Sequence, residues 1–139
     1  MRFILSLPLT LIPLIIYNVV ALGGGETAST AFQAQMFAFQ MVSGAQFQLL
    51  LGDMLLTFAL LLLFAEMLKA TRTGSSALLD HILSMLVFVA YLVEFLIAAP
   101  AATSIFFILM VIALIDVIAG FSITISGARR DVAFGHDDR

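Results

Sequence analysis

Three carboxylates stand in apolar stretches with no basic residue at their level: Asp53, Glu94 and Asp116. A fourth, Glu66, lies three residues before Lys69. An acid at the centre of a membrane helix costs about 2.5–3.5 kcal/mol on insertion scales. Acids kept there are paired, protonated or used. The functional chemistry open to Asp53, Glu94 and Asp116 is the binding of a proton or cation along a membrane pathway. The structural alternative is a neutral carboxyl group that hydrogen-bonds one helix to another. Asn18 and Tyr91 are the uncharged polar groups placed to join either arrangement.

The elements that must position these groups are membrane spans. The chain of 139 residues is 63% hydrophobic and 11% charged. Soluble domains run nearer about 45–50% apolar and 25% charged. A fold of this size in water could not bury so much apolar surface, so its solvent is lipid. Four runs approach the about 20 residues that cross about 30 Å of hydrocarbon. They are 3–22, 47–68, 79–99 and 104–125. Backbone groups in lipid must be satisfied internally, which makes these runs helices. The first is longer than the apolar stretch of a secretory signal, and it is read as a retained span. Pro8 and Pro13 fall within it, which membrane helices tolerate.

The basic residues give direction. Arg2 precedes the first span, Lys69 and Arg72 lie between the second and third, and Arg129, Arg130 and Arg139 follow the fourth. The two other connections hold no Lys or Arg. The positive-inside rule then puts both termini in the cytoplasm. Lys69, Arg72, Arg129 and Arg130 set topology and can touch lipid headgroups. The fold class is thus all-α: a single membrane domain of four antiparallel helices, with an outer segment at 23–46 and a frayed cytoplasmic tail at 126–139. Within the outer segment, 31–41 reads either as a short helix on the membrane surface, through Phe32, Met36 and Phe39, or as an irregular loop. The turn at Pro100 is so short that spans three and four must be neighbours.

Depth follows from a rise of 1.5 Å per residue. Asp53, Glu94, Tyr91 and Asn18 fall at one level in the outer half and can share a polar layer. Asp116 stands apart at mid-membrane. Ala113, Gly120 and Thr124 lie on its helical face, a stripe of small residues suited to close helix packing. Asp80, Ser84, Tyr91 and Glu94 align on span three, and Ser6, Thr10, Pro13 and Tyr17 on span one. Glu66 reads as an interfacial acid that snorkels toward water and pairs with Lys69. His81 reads as an interface residue.

No phosphate loop, zinc spacing or nucleophile–base pair is visible, so neither a cofactor, a metal nor an enzyme activity is expected. No basic patch points to nucleic acid. The stretches Gly52-Asp53, Phe64-Ala65-Glu66-Met67-Leu68-Lys69-Ala70-Thr71-Arg72-Thr73-Gly74, Asp116-Val117-Ile118-Ala119-Gly120-Phe121 and Ala128-Arg129-Arg130-Asp131 resemble those of small four-span bacterial inner-membrane proteins with no assigned activity. That resemblance implies the fold and the membrane but no substrate. The function expected is that of an accessory or structural subunit, in a homo-oligomer or a larger membrane complex. The alternative is a small proton- or cation-coupled transporter or channel.

Overall fold

The computed structural model describes residues 7–23, 27–71 and 77–134. Arg2, Ser6, Arg72, Arg139 and the side chains of Thr124, Arg129 and Arg130 lie outside the described residues. The chain is mostly helical. Residues 3–6 of the expected first span lie outside the described residues. Residues 7–10 form a turn, and helix α1 spans Leu11–Gly23. The turn is closed by Leu11 N–H to the Pro8 carbonyl at 3.1 Å and by Ile12 N–H to Leu9 at 3.1 Å. Pro8 disfavours helical geometry at Leu7 and donates nothing itself, whereas Pro13 sits in the first turn, where no donor is missed. At 13 residues α1 is about 20 Å long, short of the about 30 Å hydrocarbon core.

A one-turn helix α2, Ala28–Phe32, follows, with Thr27 as its cap. The next segment is neither the surface helix nor the irregular loop expected for 31–41. Strands β1 (Gln35–Gln40) and β2 (Gln46–Leu50) form an antiparallel hairpin. The governing period is two rather than 3.6. Phe39 pairs with Phe47 and Phe37 with Leu49 on one face, while Gln40 pairs with Gln46 and Ala38 with Gln48 on the other. Gly44 turns the hairpin at φ 83°, a conformation that favours glycine.

β2 runs without a linker into α3, Leu51–Ala70. That helix therefore starts at Leu51 and not at residue 47. α4 covers Ala77–Ile97. A 3-10 turn at Ala99–Ala101, opened by Pro100, leads into α5, Ser104–Phe134. Thr103 caps α5 by accepting from Phe106 N–H at 3.1 Å. The tail expected from 126 onward continues α5 to Phe134, because Ala128, Arg129 and Arg130 favour helix and no proline stops it.

Among the described residues, three stretches are long and apolar enough to cross a membrane: Leu51–Ala70, Leu79–Ile97 and Ser104–Ile123. α5 packs against both α3 and α4, and α1 closes the remaining side. Leu61, Phe64, Leu96 and Ile97 point outward, each more than 60% exposed. Water would not tolerate that surface, and lipid does.

Candidate functional site

The polar residues buried among the described residues are Thr10, Glu66, His81, Ser84 and Asp116. They form one cluster. Measured from the hairpin end, Asp116 lies about 18 Å down α5, Ser84 about 20 Å down α4 and Glu66 about 22 Å down α3. Three helices thus bring polar groups to one level, near the end where Lys69 emerges.

Their first partner is the irregular backbone of residues 7–10. Leu9 N–H donates to Glu66 Oε2 at 3.1 Å. Lys69 Nζ donates to the Leu7 carbonyl at 3.4 Å and to Glu66 Oε1 at 3.0 Å. The Thr10 hydroxyl donates to Asp116 Oδ2 at 3.2 Å. The Tyr91 hydroxyl donates to the Thr10 carbonyl at 3.1 Å. Ser84 of α4 lines the same cavity as Asp116. Non-helical backbone at membrane depth survives only where protein satisfies it. Here α3, α4 and α5 each supply part of that satisfaction.

The lower side of the cluster is closed by His81 and Gly120. The His81 ring stacks on Phe121, with centroids 5.0 Å apart and planes inclined by 12°. A Cβ at Gly120 would collide with the His81 imidazole. Lys69 Nζ also reaches Asp80 Oδ2 at 3.8 Å, while Asp80 Oδ1 is buried with no hydrogen-bond partner among the described residues. Glu66, Lys69, Asp80, His81, Ser84 and Asp116 surround a cavity of about 20 Å³. One water molecule needs about 10–15 Å³ measured in this way. No group of three His, Cys, Asp or Glu able to hold a metal ion occurs among the described residues.

The opposite half of the core is aromatic. Tyr17 stacks on Phe32 at 4.6 Å and meets Phe106 edge-on at 4.8 Å. Phe106 also contacts Tyr91 and Phe95. The Tyr17 hydroxyl donates to the Pro100 carbonyl at 2.8 Å and pairs with the Thr103 hydroxyl at 2.7 Å. Tyr17, Phe32 and Phe106 are at most 1% exposed.

The expected layer of Asn18, Asp53, Tyr91 and Glu94 is not assembled. Asp53 is exposed in the first turn of α3 and caps it, accepting from Leu50 N–H at 3.1 Å. The hairpin took the residues that would have buried it. Asn18 donates to Leu14 of its own helix at 3.1 Å. Tyr91 turns away toward Thr10. Glu94 is half-buried, near enough to Tyr17 and Tyr91 for its charge to act on both. Asp116 is not solitary but shares its cluster with Glu66. Glu66 pairs with Lys69 as expected, yet it is 4% exposed and points inward. The small-residue stripe of Ala113 and Gly120 faces partners inside the chain and is not left open.

Thr10, Ser84 and His81 complete the cluster without having been singled out as site residues. Their signal was the polar stripes on the first and third apolar runs, read against depth from the Lys69 end. Comparison with protein-family models, curated proteins and solved structures returned no match.

Proposed function

We propose that this chain is a non-enzymatic integral membrane protein, a structural or accessory subunit whose buried acids hold its helices together. In this reading α1 and its turn are the first of four antiparallel spans in a bacterial inner membrane. Both termini are cytoplasmic, since the positive-inside rule applied to the basic residues of the sequence puts the Lys69 end of the helices inside. The protein would serve in a homo-oligomer or a larger membrane complex. The observation that carries this reading is the clamp on residues 7–10. Glu66, Asp116, Lys69 and Tyr91 spend hydrogen bonds on that turn, and Tyr17, Phe32 and Phe106 pack ring against ring beyond it. Glue is the economical account of acids so engaged.

Gentle solubilisation followed by native mass spectrometry tests the subunit reading. A homo-oligomer or a defined complex is expected, and a strictly monomeric, partnerless species would overturn it. Liposomes holding the protein and a pH-sensitive dye are expected to show no proton flux.

A second reading, a proton- or cation-coupled carrier or channel, is favoured by the cavity. Three carboxyl groups face a single ammonium there, and charges in hydrocarbon need partners or protons. Dye-reported flux that vanishes in both Glu66→Gln and Asp116→Asn would replace the first reading with this one. Neither Asp53 nor Glu94 is among the cavity's eight lining residues, which leaves both outside this mechanism.

A further inference from the structure

The β1–β2 hairpin carries an apolar face that stays exposed among the described residues. Phe37, Phe39 and Phe47 are 60%, 58% and 39% exposed, and the Phe39 and Phe47 rings touch with centroids 5.0 Å apart. The reverse face is Ala38, Gln40, Gln46 and Gln48. A two-stranded hairpin is marginal in water by itself, so this face needs an occupant.

Two observations identify it. The first is continuity with the membrane-crossing surface. β2 ends at Leu50 and α3 begins at Leu51. Leu49 and its partner Phe37 therefore stand within two residues of the apolar helix. The hydrophobic stripe starts at the hydrocarbon edge. Strands of this length reach about 20 Å, at about 3.3 Å per residue. The second is charge. No ionisable side chain occurs between Glu26 and Asp53. The turn itself presents Met41 and Val42, both exposed. Nothing in the segment holds it out in water.

We propose that the hairpin lies in the interface of the leaflet at its own end of the helices, with Phe37, Phe39, Phe47 and Leu49 seated at the headgroup–acyl boundary. Its glutamine face points to water. The partner is the lipid surface itself. The proposal rests on the chain crossing a membrane, and is independent of what the buried acids do.

The sequence contains no tryptophan, so each introduced one reports alone. Full-length Phe39→Trp, Gln48→Trp and Phe64→Trp proteins would be placed in phosphatidylcholine–phosphatidylglycerol vesicles with acyl-brominated lipid. Phe64→Trp, on the outward face of α3, serves as the membrane-embedded reference. Phe39→Trp is expected to emit at short wavelength and to be quenched about as strongly as Phe64→Trp. Gln48→Trp is expected to emit like a hydrated indole and to escape that quenching. Equal, water-like emission from Phe39→Trp and Gln48→Trp overturns the proposal while leaving the membrane reading intact. Shielding of Phe39→Trp from iodide without lipid quenching, lost on dilution of protein in lipid, assigns the face to a second copy and also overturns it. Absence of quenching in Phe64→Trp removes the membrane reading and this proposal together.

Discussion

The two halves of the core are held by different physics. At the hairpin end Tyr17, Phe32, Phe95 and Phe106 fill space ring against ring. At the Lys69 end Glu66, Thr10 and Asp116 are held through directed bonds. Lipid is as apolar as a core side chain, so burial alone stabilises little, and helix association relies on packing and interhelical hydrogen bonds. Rings lose contacts piecemeal when trimmed. An irregular backbone loses everything when its acceptor goes. The difference teaches where this fold is brittle.

The largest effect is expected at Glu66. Glu66→Ala leaves Leu9 N–H without its acceptor and the Lys69 ammonium without its near partner. Removing one member of a fully buried pair costs about 3–5 kcal/mol, and the 25% exposure of the Lys69 side chain brings the charge contribution below that. Thermal unfolding in a mild detergent should fall steeply. Glu66→Gln keeps an acceptor for Leu9 and should recover a substantial part. Equal losses in both would mean that the charge pair, and not the clamp, matters. Phe106→Ala is next. It opens a cavity between Tyr17, Tyr91 and Phe95, but without a large transfer term. Its cost should fall below the about 3–5 kcal/mol typical of soluble cores. A loss matching Glu66→Ala would erase the contrast between the halves.

Sequence reasoning went furthest where a run of apolar residues decides structure. α3, α4 and α5 and the short Pro100 turn follow from length and hydropathy. The basic residues locate the Lys69 end. Asp116 was marked by the cost of an acid in hydrocarbon, and the small residues beside it by their spacing. Spacing foretold the pairing of Glu66 with Lys69, but distance to the helix end wrongly suggested that it points outward. Its inward direction depends on a turn that breaks the first apolar run. Pro8 announced that break, but nothing local said that three distant helices would supply its hydrogen bonds. Asp53 failed differently. A period of two hid inside a segment whose Phe32, Met36 and Phe39 also fit a helix. Once β2 claims Phe47–Leu50, Asp53 moves from depth to a cap. The change expected to be most damaging is therefore at Glu66.

Gly120→Ala sharpens the comparison within the polar half. The added methyl collides with His81, which is 8% exposed and already stacked on Phe121. Overpacking of this kind costs about 1–3 kcal/mol. Double substitution with His81→Ala should relieve much of it, and unfolding of the single and double variants measures the coupling. Tyr17→Phe does the same for the aromatic half. It keeps the ring stack and deletes the bonds to Pro100 and Thr103. About 1 kcal/mol per hydrogen bond is expected, seen as a modest drop in the unfolding midpoint. A loss as great as that of Phe106→Ala would show that hydroxyls, not rings, hold this half too.

The smallest effect is expected at Asp53, although it shares with Asp116 the feature that first marked both, a carboxylate without a basic partner. Its carboxylate is exposed, sits in the first turn of α3 and accepts from Leu50 at the joint between strand and helix. A negative group there complements the helix dipole. Asp53→Ala removes a cap worth about 1 kcal/mol at most in such a setting, and Asp53→Asn should restore nearly all of it, since asparagine caps almost as well. Unfolding in detergent and amide exchange over 46–54 would register the change locally, with the Glu66 end unmoved. A loss of several kcal/mol, or a change in Glu66-dependent stability, would mean that the hairpin end communicates with the clamp. The two halves would then be one cooperative unit, and the division argued from their bonding would fail.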